Sequence, residues 1–534
     1  MVSGASGATV EGPAATGDPD RTASLRRMWH ALRPRLRGRW LMLLLLVVAI
    51  EATYVFVVSA GHVTDWPQYT KYLDDQAEGF RSGHLHLIVE PPPALVAAPN
   101  PKDPVNKDLW YWDASYHKGH LYLYWGPVPS LLLATFKTAV RMKTQVGDQY
   151  VVFVLASLQL LAGTLLISRA QQRLFPGVPP ILVAIAIVAF GLVNPTLYIL
   201  ARACVYESAI VGGHAFVVTG LLFAFEAVWR ARTGAAGSNL RLALAGACWA
   251  LALGCRVSIA PGVAVLVLAT ALGAVPRGAR WWLRALRAAL CVGGPVVLGV
   301  VALLAYNRAR FDSWLDFGWH YQLTWIESKV SSDFVRPNLY SYLRRPFISR
   351  CTFPFLYAVE AMAPDLAFPK GYSLPEEYVI WEHLTGVVTA VPWAWLTPVA
   401  IGTVIVTAWR GVRRRGRAQD TRAILVAWLI ASATVAATLT MIVVLRLNGA
   451  TMRYLGDGAG ALAIVGSLAA FVSYWELRDR VAARRAVVIV CALLMLMTAS
   501  VGIALGFEGQ HKHFRLHNPA LLDKLETRFS TCAR

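Results

Sequence analysis

Charge is what this sequence has least of. Only 15% of its 534 residues are Asp, Glu, Lys or Arg, against about 25% in an ordinary soluble domain. Lysine is scarcer still, supplying 10 of the 51 basic residues. Cysteine is sparse too: seven residues, Cys204, Cys248, Cys255, Cys291, Cys351, Cys491 and Cys532. No C-x-x-C pair or metal-ligand spacing occurs, so neither a disulfide scaffold nor a cysteine-held metal is indicated. A Walker-type loop and a strand-borne G-x-G-x-x-G are also missing, which removes support for ATP-driven transport or an inner nucleotide-sugar site.

What is present is hydrophobic: 56% of residues, including 19 Trp. Many uncharged stretches run for roughly 18–23 residues, long enough to cross a bilayer core. The formal net charge of +20 is carried mainly by Arg in short clusters between these stretches. That is the pattern of loops beside a membrane, not of a nucleic-acid footprint on a folded polar surface, so no nucleic-acid partner is expected. Most Cys fall inside apolar segments, where they behave as small hydrophobes. Only Cys351 and Cys532 fall in expected outer segments, and nothing in the sequence either supports or excludes a bridge between them.

The hydropathy pattern predicts an all-α polytopic membrane protein. Residues 1–39 read as a disordered tail followed by a basic run, and 40–60 as an uncleaved anchor. Further spans are expected near 148–168, 179–195, 206–228, 241–258, 260–275, 287–306, 387–409, 423–445, 457–475 and 486–507, making about eleven. With the N-terminus inside, every inner loop is Arg-rich, which satisfies the positive-inside rule. The stretch 127–143 (PVPSLLLATFKTAVRMK) would invert every later cluster if it crossed, so it reads as amphipathic or re-entrant. Outer segments 61–147 and 307–386 are too long to be connectors, with 508–534 as an outer tail. Helices 2–7 then occupy 148–306 and helices 8–11 occupy 387–507.

Between residues 61 and 126 the charge balance reverses, with eight carboxylates against five Lys and Arg. Asp65 closely follows the first span and reads either as the cap of a helix starting at Trp66-Pro67 or as a general base held near the membrane surface. Further on, WYWDASYHKGHLYLYWGP packs aromatics around Asp113, His117, Lys118 and His120. These aromatics suit an interfacial belt, or a sugar platform with Lys118 as a phosphate-binding charge. His117 and His120 lack a third ligand, so no metal is expected. A second constellation lies at span ends: Arg202, Glu207, Arg256, Arg308, Arg310, Tyr321, Arg446, Arg453 and Asp457. Each Arg alone could be snorkelling, but several guanidiniums on one leaflet boundary suit an anionic head group. Glu51, mid-span, needs a partner or hydration at that depth.

Taken in order, FRSGHLHL, NPKDP, DASYHKGHLYLYWGPVPSLLL, VYESAI, YNRARFDSWLDFGWHYQL and MRYLGD resemble the GT-C superfamily of membrane glycosyltransferases. The resemblance extends from about residue 60 to 460 and points to a poorly characterised bacterial branch, distantly similar to protein O-mannosyltransferases and lipid A aminoarabinose transferases. The matching positions are Asp65, Tyr69, Gly83 and Tyr124–Leu133. Lys102 and His320 depart from the pattern and leave the sugar and acceptor open. The resemblance implies a GT-C-like bundle with a large first outer loop carrying interfacial helices. It further implies inverting transfer from a polyprenyl-phosphate-linked sugar to a hydroxyl of a glycan, lipid or protein, on the periplasmic side of a bacterial cytoplasmic membrane. Asp65 is then the base with Asp113 its rival, Tyr69 a positioning group, and Lys118, Arg202, Arg308, Arg310 and Arg453 the phosphate site. No cofactor is implied, and membrane lipids are the remaining partner. A non-enzymatic flippase of lipid-linked glycan is the other reading, although it predicts internal repeats that the sequence lacks.

Overall fold

A computed structural model describes residues 19–275, 280–325, 328–359, 368–380, 382–413 and 421–532. The expected tail over 1–18 and the inner-loop residues Arg277, Arg414, Arg415 and Arg417 lie outside them. The chain is an all-α polytopic membrane protein. Among the described residues, nine helices are long and apolar enough to cross a membrane. They are Gly38–Val58, Asp148–Leu174, Val205–Thr233, Ser238–Cys255, Trp281–Phe311, Pro392–Arg410, Thr421–Leu445, Met452–Glu476 and Val481–Glu508. Each falls on a stretch expected to span.

The two remaining expected spans are shorter apolar helices, Pro180–Gly191 and Val257–Gly273. The first has 12 residues, about 18 Å of rise against a core of roughly 30 Å. It stops before Asn194-Pro195 because proline has no N–H for the helix ladder, and the chain resumes as the short helix Thr196–Leu200.

Two compact units divide at Leu46/Val47; the larger, Val47–Arg534, holds everything that follows. Its helices have two distinct ends. At one, Arg173 pairs with Glu226 at 3.0 Å and stacks over Trp229, and Arg230 lies beside the same carboxylate. At the other, the starts of Asp148–Leu174 and Val205–Thr233 meet at Thr70, whose hydroxyl donates to Asp148 and accepts from the Val205 N–H. The two long segments expected to be outer, called the first and second outer segments after that expectation, meet that second end: Thr70 belongs to the first, and Glu382 of the second pairs with Arg453.

The first outer segment contains helix Tyr72–Arg81, a hairpin pairing Ser115–His117 with His120–Tyr122, and helix Val128–Ala139. Lys118 and Gly119 turn the hairpin with φ of 49° and 83°, the doubly left-handed geometry of a type I′ turn. Asp148 anchors the first helix by accepting from the Leu73 N–H at 3.0 Å. Helix Val128–Ala139, the segment read as amphipathic, spans only 12 residues. It buries Ser130, Leu133, Ala134 and Lys137 while exposing Leu131, Leu132, Phe136 and Val140. Its buried Lys137 reaches Asp74 at 2.6 Å and Glu78 at 2.5 Å. Just before it, Gly126 lies so close to the helix Ser238–Cys255 that a Cβ there would stand 2.1 Å from the Gly254 carbonyl.

The second outer segment carries helix Val335–Arg344 and a hairpin of Phe347–Ser349 with Leu356–Ala358. Val379–Ile380 pairs in parallel with Gly449–Ala450. Cys351 is joined to Cys532 by a disulfide, and the Thr531 N–H donates to the Cys351 carbonyl, so the C-terminal tail is fastened to this segment.

Candidate active site

The two outer segments interlock at Asp113. Its N–H donates to the Leu323 carbonyl, and the Leu323 N–H donates to that of Ala114. One residue on, the Ser115 hydroxyl donates to the Gly318 carbonyl. This backbone pairing holds Asp113 in the left-handed region at φ 61°, which aspartate tolerates better than most residues. The carboxylate is 8% exposed. One oxygen accepts from the Tyr206 hydroxyl, the other from the Gln322 side-chain amide at 2.8 Å. Asp113 is therefore an ordered carboxylate at the meeting point of both loops and a span end.

Tyr206 connects it to a set of buried charges. The guanidiniums of Arg453 and Arg202 lie 4.8 Å and 5.5 Å from its ring centroid, within cation–π reach. Arg453 pairs with Glu382 at 2.5 Å and Glu207 at 3.6 Å. Arg202 donates to Gln510 at 2.8 Å and stands 4.0 Å from Glu207. Glu382 is 6% exposed, and one of its oxygens is buried with no hydrogen bond from the described residues. Half-buried Tyr124 lies among Asp113, Tyr454, Arg453 and Arg256; desolvation and the Asp113 charge hold its phenol well above the ordinary range. Deeper, Arg256 binds fully buried Asp457 at 2.7 Å, and His214 approaches the other carboxylate oxygen at 3.1 Å. Two clefts flank His214: one beside Ile259, Gly262, Ala436 and Thr440, the other beside Gln159, Ile199 and Gly460.

The structure thus brings Asp113, Arg202, Glu207, Arg256 and Arg453 together. Tyr69 lies near the same cluster, close enough for Arg202 to act on its phenol, with its hydroxyl 2.6 Å from His513 Nδ1. Asp65 does not join them through any hydrogen bond or ion pair. It is exposed on an irregular stretch, and the helix that it could have capped starts only at Tyr72. Lys118 and Arg308 are engaged elsewhere: both pair with Asp312 on an exposed rim, Lys118 at 2.5 Å. Tyr321 belongs to that rim, stacked on Phe311 and packed against His117. Arg310 is buried, donating to the Leu123 carbonyl and lying 3.8 Å from the Tyr306 ring centroid. Glu51 accepts from Ser157 at 2.8 Å. No cluster of three His, Cys, Asp or Glu suited to a metal occurs among the described residues.

Sequence reasoning passed over Tyr206, Gln322, Glu382 and Gln510. Tyr206 lies between Arg202 and Glu207 in the sequence and Gln322 within WHYQLTW, and neither carries a charge that would mark it. Glu382 and Gln510 had no local signal, because only tertiary folding of the second loop and the tail brings them to the arginines.

No protein-family model matches the chain, and no curated protein matches it in sequence. Among solved structures it is similar to the Archaeoglobus fulgidus oligosaccharyltransferase in the apo form, at 15% identity and a TM-score of 0.41. The match covers 88% of this chain and 56% of that one. Oligosaccharyltransferase AglB of the same organism, in complex with an inhibitory peptide and a dolichol-phosphate, gives 15% identity and the same TM-score over 87% and 55%. The chain spans little more than half the length of these enzymes.

Proposed function

We propose that the protein is a GT-C-type membrane glycosyltransferase that moves a sugar from a polyprenyl-phosphate donor to a hydroxyl acceptor. One observation carries the reading: Tyr206 stands between the ordered carboxylate of Asp113 and the guanidinium of Arg202. A displacement at an anomeric carbon needs a base on the side of attack and a positive group on the side of departure. Asp113 takes the acceptor's proton, which requires a fixed group within hydrogen-bond reach. The acceptor oxygen then bonds to the anomeric carbon as the bond to the phosphate oxygen breaks, inverting that centre. Arg202 and Arg453 offset the charge left on the lipid phosphate, a preorganised electrostatic task.

The acceptor class is a hydroxyl of an envelope glycan, lipid or protein. The Cys351–Cys532 disulfide supports placing this face on the oxidising, outer side of the membrane, which for a bacterium is the periplasmic side of the cytoplasmic membrane. Asp65 is the rival base. Reconstituted enzyme supplied with a polyprenyl-phosphate sugar and crude envelope acceptors tests both residues. Asp113→Asn is expected to abolish transfer while Asp65→Asn retains it. The reverse result moves the base to Asp65, and unaltered transfer by both variants overturns the mechanism. Movement of lipid-linked glycan across vesicles without any sugar transfer would establish the flippase reading instead.

A further inference from the structure

The C-terminal segment was expected only as an outer tail, yet it runs into the candidate site. After the last span ends at Glu508, Gln510 turns its carbonyl oxygen to Arg202 at 2.8 Å. Three residues on, His513 is wholly buried, with Nδ1 2.6 Å from the Tyr69 hydroxyl and Nε2 3.0 Å from the Val57 carbonyl. The segment is then fixed beyond the site. Asn518 donates to the Ala60 carbonyl, Phe514 and Leu522 pack with Ala60 and Phe56, and Cys532 closes the disulfide with Cys351.

The hydrogen bonds of His513 fix the direction of one proton. A backbone carbonyl can only accept, so Nε2 carries the ring hydrogen and Nδ1 is the acceptor. The Tyr69 hydroxyl then gives its proton to Nδ1 at 2.6 Å rather than to the Ala201 carbonyl at 3.5 Å, leaving its oxygen as an acceptor near Arg202. Burial pushes the His513 pKa down to about 4, which keeps the ring neutral at pH 7. We propose that residues 508–532 complete the site, with Gln510 and His513 as positioning residues that aim Arg202 and Tyr69 at the donor phosphate. This rests on the reading of Arg202 as a phosphate ligand.

The test uses the full chain in nanodiscs of phosphatidylethanolamine and phosphatidylglycerol, with a long-chain polyprenyl monophosphate as the probe. Binding and thermal melting are measured together. Gln510→Leu and His513→Leu are expected to weaken binding about 10-fold, with melting little changed in Gln510→Leu and lowered in His513→Leu, which leaves the Val57 carbonyl unpaired. His513→Asn, which keeps an acceptor near the position of Nδ1, should stay within about 3-fold of wild type. Arg202→Gln is the control and should lose binding altogether. Wild-type binding by Gln510→Leu and His513→Leu, with Arg202→Gln impaired, would overturn the positioning role and leave the phosphate site standing. Wild-type binding by Arg202→Gln would overturn the phosphate site itself. If His513→Leu fails to fold, Gln510→Leu and His513→Asn decide. A loss by His513→Asn as deep as that of Arg202→Gln, with melting lowered, would mean that the histidine only packs.

Discussion

Lys137 offers a test of the architecture that needs no substrate. Its side chain is 1% exposed and pairs with Asp74, itself 6% exposed, at 2.6 Å; Glu78, at 2.5 Å, is 29% exposed and also holds Arg81. In Lys137→Met the stem keeps its volume and only the charge disappears. Glu78 retains Arg81 and water, but Asp74 becomes a buried carboxylate with no cation. Removing one partner of a buried pair costs roughly 3–5 kcal/mol, and this pair is what fastens helix Val128–Ala139 to helix Tyr72–Arg81. Heating detergent-solubilised protein while following the soluble fraction should show a large fall in melting temperature. Lys137→Met with Asp74→Leu should recover most of it, because an apolar pair carries no stranded charge. If Lys137→Met melts within a degree or so of wild type, Asp74 is hydrated and the pair does not anchor the loop.

The pH dependence has a definite sign. Burial alone would lower the Lys137 ammonium, but Asp74 and Glu78 outweigh it and raise the group above its ordinary 10.5. Burial would raise Glu78, but Lys137 and Arg81 outweigh it and hold the carboxyl below 4.5. The lysine's contribution is complete below about pH 10.5 and is lost as pH rises through its folded value. That of Glu78 is complete above about pH 4.5 and is lost as pH falls through its folded value. The anchorage is thus expected to persist across that interval and weaken on both sides.

Other substitutions report on separate parts of the structure. Gly126→Ala should cost about 1–3 kcal/mol, because its new Cβ meets backbone at 2.1 Å. Gly254→Ala, whose Cβ would meet the Val128 side chain at 2.4 Å, should cost less; equal melting of the two would refute the close approach. Cys532→Ser, or reduction of the wild type, opens a loop of 181 residues and should lower stability by up to about 5 kcal/mol, with the two treatments giving equal melting shifts. Tyr206→Phe leaves the Asp113 carboxylate short of one donor and should destabilise by about 1–3 kcal/mol; an unchanged melting temperature would mean that water replaces the hydroxyl.

The spans were legible because each repeats one physical requirement, an apolar run long enough to cross lipid, and because the Arg clusters between them register direction. The stretch 127–143 was legible for a related reason: making it cross would have contradicted every later cluster. Its 12-residue helix, apolar on the exposed side and polar where it meets Tyr72–Arg81, explains the hydropathy that imitated a span. Of the candidate site, Asp113 stood out as a carboxylate among loop aromatics, and Arg202, Glu207, Arg256 and Arg453 as charge at a span end. Lys118 and Arg308 carried the same local signal, yet Asp312 engages both, and that pairing depends on how the hairpin folds against the end of Trp281–Phe311. Gln510 and His513 were invisible for the opposite reason: neither is unusual in a tail, and each gains meaning only from a partner more than 300 residues away.

The outward face of helix Val128–Ala139 sets a height. Leu131, Leu132, Phe136 and Val140 favour the acyl boundary, while Lys137 ties the helix to the loop that seats Asp113. Such a helix acts as a float, and the loop around Asp113 rides at whatever level the float finds. On the proposed function, a bilayer of different thickness or tighter head-group packing would then shift that loop relative to a donor phosphate held at the lipid surface. Lipid composition would act on the chemistry through the vertical alignment of enzyme and donor, without any lipid entering the site.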